Sequence, residues 1–306
     1  MQVLLSLALL AASAGSSPTW LGQTFDGSAV ALWQLHEDGS LPPAPLGVVL
    51  LPAGSSIGAD LFRCAPARGW CVFVTAAGGG ATLFNVSAAD GNVTSIVPLL
   101  PPAQPPMRVV SLHVDPATST SYFTVLSKAG GALMSVTSGG AVATVADLTP
   151  YAGTGTTVAA SICSSSRTMW LAVNQQTGGT FLSVDLSRGV TSSMTYFVTF
   201  TALWADCGQG DVHGVTYSLS TGELSFGSIS MNAPGHFQPQ ASQFLPNNMV
   251  PNKVLSASLP QSRLAAGVYQ SYAGPGPYKT SGYIAFIGQG ISLTPVSYYL
   301  AGASTS

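Results

Sequence analysis

A sequence pattern of about 50 residues recurs along the chain, and it limits the possible folds more than any other feature. In each copy an apolar strand is followed by a Gly-containing turn and a second β-rich run, most clearly at 81–87, 131–137 and 180–186. One apolar anchor per copy gives spacings of 51, 50, 49, 44 and 58 residues. The anchors are Leu32, Leu83, Leu133, Leu182, Phe226 and Ile284.

A second pair of strands precedes each of the last five anchors. The segments at 60–64, 110–114, 160–163, 203–207 and 254–259 each lead through a polar or Gly-rich turn into another β-rich run. Each unit is therefore predicted to be four short antiparallel strands. Such a unit cannot bury both of its faces alone, so neighbouring units must stack on one another.

The run Leu182–Gly189, which reads Leu-Ser-Val-Asp-Leu-Ser-Arg-Gly, resembles the repeats of secreted and periplasmic β-propellers of the quinoprotein-like and surface-layer kind. The resemblance implies a fold and no particular activity. We predict an all-β protein, a β-propeller of about six four-stranded blades, with β-sandwich domains as the alternative. Because 34 Gly and 21 Pro interrupt the chain, we expect very little helix.

The predicted propeller is a single domain over residues 15–306. The first blade shows only three strands, so it must borrow a strand or leave a gap. The blades are expected near 19–52, 57–100, 107–149, 156–198, 199–246 and 252–300.

The N-terminus predicts export. Residues 3–12 are almost entirely apolar, which is too short for a membrane span but suits the core of a signal peptide. Ala12-Ser13-Ala14 has the small residues that signal peptidase accepts, so residues 1–14 are predicted to be a signal peptide. The alternative is a buried first strand or helix. No later segment is apolar enough to span a membrane, so we expect a secreted, extracellular protein.

Four cysteines fit that compartment, namely Cys64, Cys71, Cys163 and Cys207. An even number of cysteines in an exported chain favours disulfides. Cys64 and Cys71 flank a predicted hairpin turn, and Cys163 and Cys207 occupy matching positions in successive units, where a bridge would join two blades. Metal binding is the alternative, but there is no zinc-type C-x2-C pair.

Charged residues make up only 7% of the chain and the formal net charge is −2. This excludes the electrostatic footprint of a nucleic-acid-binding protein. A surface with so few charges suits glycan coating or self-association. Two sequons, at Asn85 and Asn92, are candidate glycosylation sites.

Catalytic signals are weak. Gly54-Ser55-Ser56-Ile57-Gly58 matches the G-x-S-x-G pattern but lies in a turn with no helix after it. Two acid–imidazole pairs, His113 with Asp115 and Asp211 with His213, each share one strand face and are the weak catalytic or metal candidates. The alternative is that each acid terminates a turn. We predict no cofactor and no bound metal.

The segment 269–283 is a predicted hairpin loop with a Gly-Pro-Gly-Pro tip. Its four tyrosines offer flat apolar faces with a hydroxyl, which suits a glycan or a protein partner. They are Tyr269, Tyr272, Tyr278 and Tyr283.

These features together predict a secreted interaction or structural protein. In this interpretation a rigid β-propeller displays loops for a glycan, a protein partner or a second copy of itself. The alternative is a metal-assisted propeller enzyme, a hydrolase or lyase with a site near the ring axis. The sequence leaves the question of catalysis open and favours a non-enzyme, because so few ionisable groups are available for acid–base chemistry.

Overall fold

The structure is a computed structural model of the whole chain. The backbone is described over the ranges given next, and side chains are described only for those of them within 28–244, except at 34–35, 58–60, 204 and 206. The described residues are 4–7, 9–10, 19–25, 28–35, 43–65, 68–101, 107–115, 117–153, 156–175, 178–207, 211–218, 221–229, 236–244, 257–258, 265–270, 282–287, 291–296 and 299–303.

The described elements are 26 β-strands, of which 24 form six four-stranded sheets with the strands in sequence order. Neighbouring strands of sheets 1 to 5 pair antiparallel. No helix among the described residues is long and apolar enough to cross a membrane.

Sheets 1, 2 and 6 belong mainly to one compact unit, formed by residues 1–103, 249–288 and 292–306. Sheet 1 contains β2 (Leu9–Leu10), β3 (Thr19–Phe25), β4 (Ala29–Leu35) and β5 (Gly47–Leu50). Sheet 2 contains β6 (Ser56–Ala65), β7 (Trp70–Ala77), β8 (Gly80–Ser87) and β9 (Val93–Leu100). Sheet 6 contains β22 (Ala257–Ser258), β23 (Ala265–Gln270), β24 (Gly282–Ile287) and β25 (Ile291–Val296).

Sheets 3 to 5 belong to the second unit, formed by residues 104–248 and 289–291. Sheet 3 contains β10 (Arg108–Asp115), β11 (Thr120–Ser127), β12 (Gly130–Val136) and β13 (Val142–Asp147). Sheet 4 contains β14 (Thr157–Cys163), β15 (Thr168–Gln175), β16 (Gly178–Asp185) and β17 (Gly189–Tyr196). Sheet 5 contains β18 (Phe200–Asp206), β19 (Asp211–Tyr217), β20 (Glu223–Ile229) and β21 (Phe237–Phe244).

The repeat read from the sequence corresponds to these sheets. Each of the six apolar anchors lies on the third strand of its sheet. The prediction of an all-β protein built from four-stranded antiparallel units is therefore confirmed. The anchors are 44 to 58 residues apart, and each occupies the same strand position in its own sheet. A stacked-repeat architecture requires this correspondence.

The N-terminal segment forms two strands in the full-length chain. β1 (Leu4–Leu7) pairs in parallel with β26 (Tyr299–Ala303). β2 pairs with β3 and supplies the fourth strand of sheet 1. Removal of residues 1–14 would take both strands away and leave that sheet with three, so the signal peptide stays a prediction.

The core lies between the faces of neighbouring sheets. One buried cluster joins sheets 3 and 4 through Leu126 and Leu133 on one side and Leu171 and Leu182 on the other. A second joins sheets 4 and 5 through Ala172, Phe181, Phe200 and Leu203. In the other unit, Phe62, Phe73 and Phe84 of sheet 2 pack with Leu32 and Val49 of sheet 1. Each of sheets 1 to 5 thus buries apolar surface on a neighbouring sheet of its own unit.

Both predicted disulfides are present. Cys64 and Cys71 are cross-strand partners on β6 and β7 with Cα atoms 3.9 Å apart. Cys163 at the end of β14 is bonded to Cys207 just after β18, with Cα atoms 5.6 Å apart, and joins sheets 4 and 5. The two disulfides close segments of very different length, because their sequence separations are 7 and 44 residues.

We therefore expect unequal losses of stability when the disulfides are removed. The entropy restored to the unfolded chain grows with the length of the opened loop. Cys163→Ala with Cys207→Ala should lower the free energy of unfolding by about 4 kcal/mol, and Cys64→Ala with Cys71→Ala by about 2 kcal/mol. Denaturant unfolding of the two double variants measures this difference, and a larger loss for the 64–71 pair would contradict it.

Candidate functional site

The polar side chains that could carry chemistry in the second unit collect at one end of its sheets. β10, β14 and β18 end there, β19 begins there, and the first hairpin turn of each sheet lies there. We call this end the first-hairpin edge. The relevant residues are His113, Asp115, Cys163, Arg167, Cys207, Asp211 and His213.

Asp115 holds the turn between β10 and β11. Its carboxylate is only 3% exposed and accepts hydrogen bonds from the Ala117 N–H, at 3.0 Å, and from the Thr118 hydroxyl, at 2.7 Å. The turn ends at Ser119, whose φ of 55° is left-handed. A carboxylate that satisfies a tight turn in this way is already committed to local hydrogen bonds.

His113 lies beside Asp115 and opposite Tyr122 on the neighbouring strand. His113 is 6% exposed and Tyr122 is 5% exposed, so both rings are closed off from solvent. Burial raises the pKa of the Tyr122 phenol, the negative charge of Asp115 raises it further, and Arg167 in the β14–β15 turn opposes both. The side chains of His113, Asp115 and Tyr122 are therefore almost completely buried.

The second pair has a different environment. Asp211 is exposed at the first position of β19 and lies opposite Asp206 in the ladder. His213 is half-buried and its ring stacks on Phe226, with centroids 5.7 Å apart and planes 28° apart. The pair is therefore open to solvent at the acid and packed at the imidazole.

The four weak candidates do not assemble into a metal-type cluster. Among the side chains that the structure describes, no three His, Cys, Asp or Glu residues lie together in a way that could hold a metal ion. Of the motif at 54–58, Ser56 is exposed at the start of β6, and its hydroxyl lies 3.4 Å from the carbonyl oxygen of Ala76. Ser56, Ile57 and Gly58 already belong to β6, so the motif runs from a turn into a strand and not from a strand into a helix.

Three further aspartates repeat the role of Asp115. Asp90 accepts from Asn92, Asp147 from Thr149 and Asp185 from Ser187, each across two residues of a turn. Hydrogen bonds from the side chains of Ser87, Thr149 and Ser187, respectively, are the main reason that the pKa of each carboxyl lies below its usual value. Asp115, Asp147 and Asp185 thus each end a strand and shape the next turn, whereas Asp90 lies within the β8–β9 turn.

The two sequons differ in accessibility. Asn85 is half-buried within β8, and its amide donates to the Ser95 hydroxyl at 2.6 Å. Asn92 is exposed in the β8–β9 turn, where its amide donates to the Asp90 carboxylate at 2.6 Å. Only the second sequon is open to solvent, and glycosylation of either residue stays a prediction.

The tyrosine loop lies largely outside the described residues. Tyr269 and Tyr283 face each other in the ladder of β23 and β24, which shows that the segment between them is a hairpin connection. The side chains of these two residues, and Tyr272 and Tyr278 altogether, lie outside the described part of the chain.

We call β9, β13, β17 and β21, the last strands of sheets 2 to 5, the outer strands. The sequence analysis missed how their edges are protected. Their sequences contain no Lys or Arg, although outer edges of sheets are often protected by such charges. Instead, each pairs with its inner neighbour through a register shift, and Pro98 and Pro239 interrupt β9 and β21. Bulges and prolines blunt an edge against pairing with another strand.

No protein family and no curated protein sequence matches the chain. Solved β-propeller structures do match it. The Dos1 propeller has a TM-score of 0.51 at 11% identity, over 92% of this chain and 68% of its own. The Myceliophteria thermophila Cps50 (Swd1) β-propeller domain has a TM-score of 0.52 at 12% identity, over 89% and 81%. A nidogen/laminin complex gives 0.50 at 14%, over 74% and 79%. These likenesses confirm the predicted propeller fold and show no more than the fold.

Two matched substitutions at the first-hairpin edge test whether Asp115 stabilises its turn while the exposed Asp211 does not. Asp115→Ala leaves the Ala117 N–H and the Thr118 hydroxyl without their acceptor, so we expect it to lower the free energy of unfolding by about 1–3 kcal/mol. Asp211→Ala, at an exposed position, should change it by less than about 0.5 kcal/mol. Thermal and denaturant unfolding measure both, and equal effects would contradict the assignment.

The aspartate turns also predict a direction of pH dependence. A carboxyl whose pKa is lower in the folded state adds stability above its unfolded value of about 3.8, and this stability is lost as pH falls through the folded pKa. We expect the Tm to stay level from about pH 7 to 5 and to fall below about pH 4. A variant carrying Asp90→Asn, Asp147→Asn and Asp185→Asn should show a shallower fall; an unchanged acid slope would refute the turn account.

Proposed function

We propose that the chain is an exported interaction or structural protein, a rigid β-propeller that displays loops to a glycan, a protein partner or a second copy of itself. One observation carries the proposal. Where the structure describes acidic side chains, four of the carboxylates hold turns, while the outer strands β9, β13, β17 and β21 carry no Lys or Arg and are blunted against backbone pairing. The surface is thus suited to recognition by side chains.

Placement of the ionisable groups argues against chemistry at the first-hairpin edge. A general acid or base must reach a substrate, yet His113 and Asp115 are almost completely buried and Asp115 already accepts two hydrogen bonds. The remaining pair, Asp211 and His213, lacks a third ligand within the described residues. A metal-assisted hydrolase or lyase is therefore the weaker of the two candidate functions.

Three features support export. Two disulfides are typical of an oxidising compartment. The sequon at Asn92 is exposed at a turn, where a glycan would not disturb a sheet. The apolar N-terminal segment with its small residues at 12–14 fits a signal peptide. A role in binding other molecules outside the cell also fits the small number of charged residues.

Expression of the full chain in a eukaryotic secretory cell line tests the proposal. We expect the protein in the medium, with a new N-terminus close to Gly15, and binding either to an array of neutral and acidic oligosaccharides or to immobilised copies of itself. Retention in the cell with residues 1–14 intact would contradict export. Stoichiometric zinc or calcium in the purified protein, with no binding in either format, would favour the enzyme.

A further inference from the structure

The connection between sheets 4 and 5 exposes a phenylalanine. Phe197, Val198 and Thr199 join β17 to β18, and Phe197 is 85% exposed. Among the large apolar side chains that the structure describes, none is more exposed. Exposure on this scale means that very little of the Phe197 side chain packs on its own protein.

The backbone on either side of Phe197 is fixed by one buried amide. The Asn174 side chain accepts hydrogen bonds from the Tyr196 hydroxyl, at 2.8 Å, and from the Phe200 N–H, at 2.9 Å. It also donates to the Phe200 carbonyl oxygen at 2.7 Å. Asn174 is 3% exposed, and Tyr196 and Phe200 are 2% exposed. Both ends of the three-residue loop are thereby anchored in the core.

The turn beneath the loop lies close against the loop's backbone. Gly178 has a φ of 128°, and a Cβ built on it would lie 2.3 Å from the Tyr196 carbonyl oxygen and 3.2 Å from the Phe197 Cα. On the core side, the rings of Tyr196 and Phe200 pack edge to face with centroids 5.0 Å apart. Phe197 is therefore displayed on a rigid support, and a partner that binds it need not order the loop.

The described residues next to Phe197 in the chain and at the adjoining turn are uncharged. Thr195 and Thr199 are exposed on either side of it, and Gln175, opposite Gly178 in the ladder, is exposed at the adjoining turn. Hydroxyl and amide side chains can each donate and accept hydrogen bonds. A patch of this kind is complementary to itself, whereas a patch with one sign of charge would repel its own copy.

We infer that Phe197 is the central anchor of a contact between two copies of this chain, related by a two-fold axis. The ring of each copy packs against the Phe197 loop of the other, and the threonine and glutamine side chains form the rim. A formal net charge of −2 gives the copies little mutual repulsion. The blunted outer edges direct the contact to this loop rather than to strand pairing.

The choice of occupant follows from the geometry. A ring that is 85% exposed can be covered almost completely by a partner. Such a ring suits an apolar contact in a protein interface, where a buried aromatic residue often provides most of the affinity. The single loop makes a small interface, so the dimer is weak and depends on concentration.

This inference rests on the proposed function, and its test is separate from secretion and glycan binding. Sedimentation velocity of the secreted full chain, from about 1 to 200 μM, follows the monomer–dimer equilibrium. We expect Phe197→Ser to raise the dissociation constant by at least about 10-fold and Phe197→Leu by less, because leucine keeps an apolar side chain. Raising NaCl from about 50 to 500 mM should leave the wild-type constant within about 2-fold.

Phe244→Ser is the matched control, since Phe244 is also an exposed phenylalanine, 62% exposed at the end of β21. Phe244→Ser should leave the equilibrium unchanged. A wild-type chain that stays monomeric over the whole range, or a Phe197→Ser variant that dimerises as well as wild type, would overturn the inference. Equal thermal unfolding of the variants shows that each is folded, and binding to the oligosaccharide array would leave the proposed function standing in either case.

Discussion

Face-to-face packing of neighbouring sheets is the interaction on which the rest of this structure depends. A four-stranded sheet has two faces, and a single unit of about 50 residues has no second layer of its own to cover them. Leu133 of sheet 3 and Leu182 of sheet 4 are completely buried because each lies in the cluster that the two sheets share. The apolar anchors must therefore recur at an almost constant spacing.

The same constraint determines where the polar groups lie. The described clusters between the sheets are apolar, and the four carboxylates that hold turns lie at strand ends or within turns. Asp115, Asp147 and Asp185 each follow or end a strand and accept the N–H groups of the turn that comes next. Four of the described aspartates, Asp115 among them, hold a turn, and among the described large apolar side chains Phe197 is the most exposed.

Much of the fold could be predicted because it depends on local periodicity. The anchors, the four strands per unit and the two disulfides follow from patterns within one repeat or between neighbouring repeats. Asn174 illustrates what could not be predicted: its partners Tyr196 and Phe200 lie 22 and 26 residues away, and nothing local distinguishes it from another polar residue at a strand end. The fourth strand of sheet 1 could not be assigned either, because Leu9 and Leu10 lie in a segment that reads as a signal peptide. The exposure of Phe197 could not be predicted for the same reason. Phenylalanine usually lies in a core, and the loop that exposes Phe197 is held by the distant contacts of Asn174.

Disulfide mapping of the secreted protein tests the central claim most directly, because the claim is that equivalent positions in successive repeats lie at the same edge of neighbouring sheets. Cys163 and Cys207 are such a pair, one at the end of β14 and one just after β18. Proteolysis and mass spectrometry without reduction should recover Cys64 linked to Cys71 and Cys163 linked to Cys207, with no free thiol. A link between Cys64 and Cys163 would contradict the alignment of the repeats, and four free thiols would contradict the oxidising compartment.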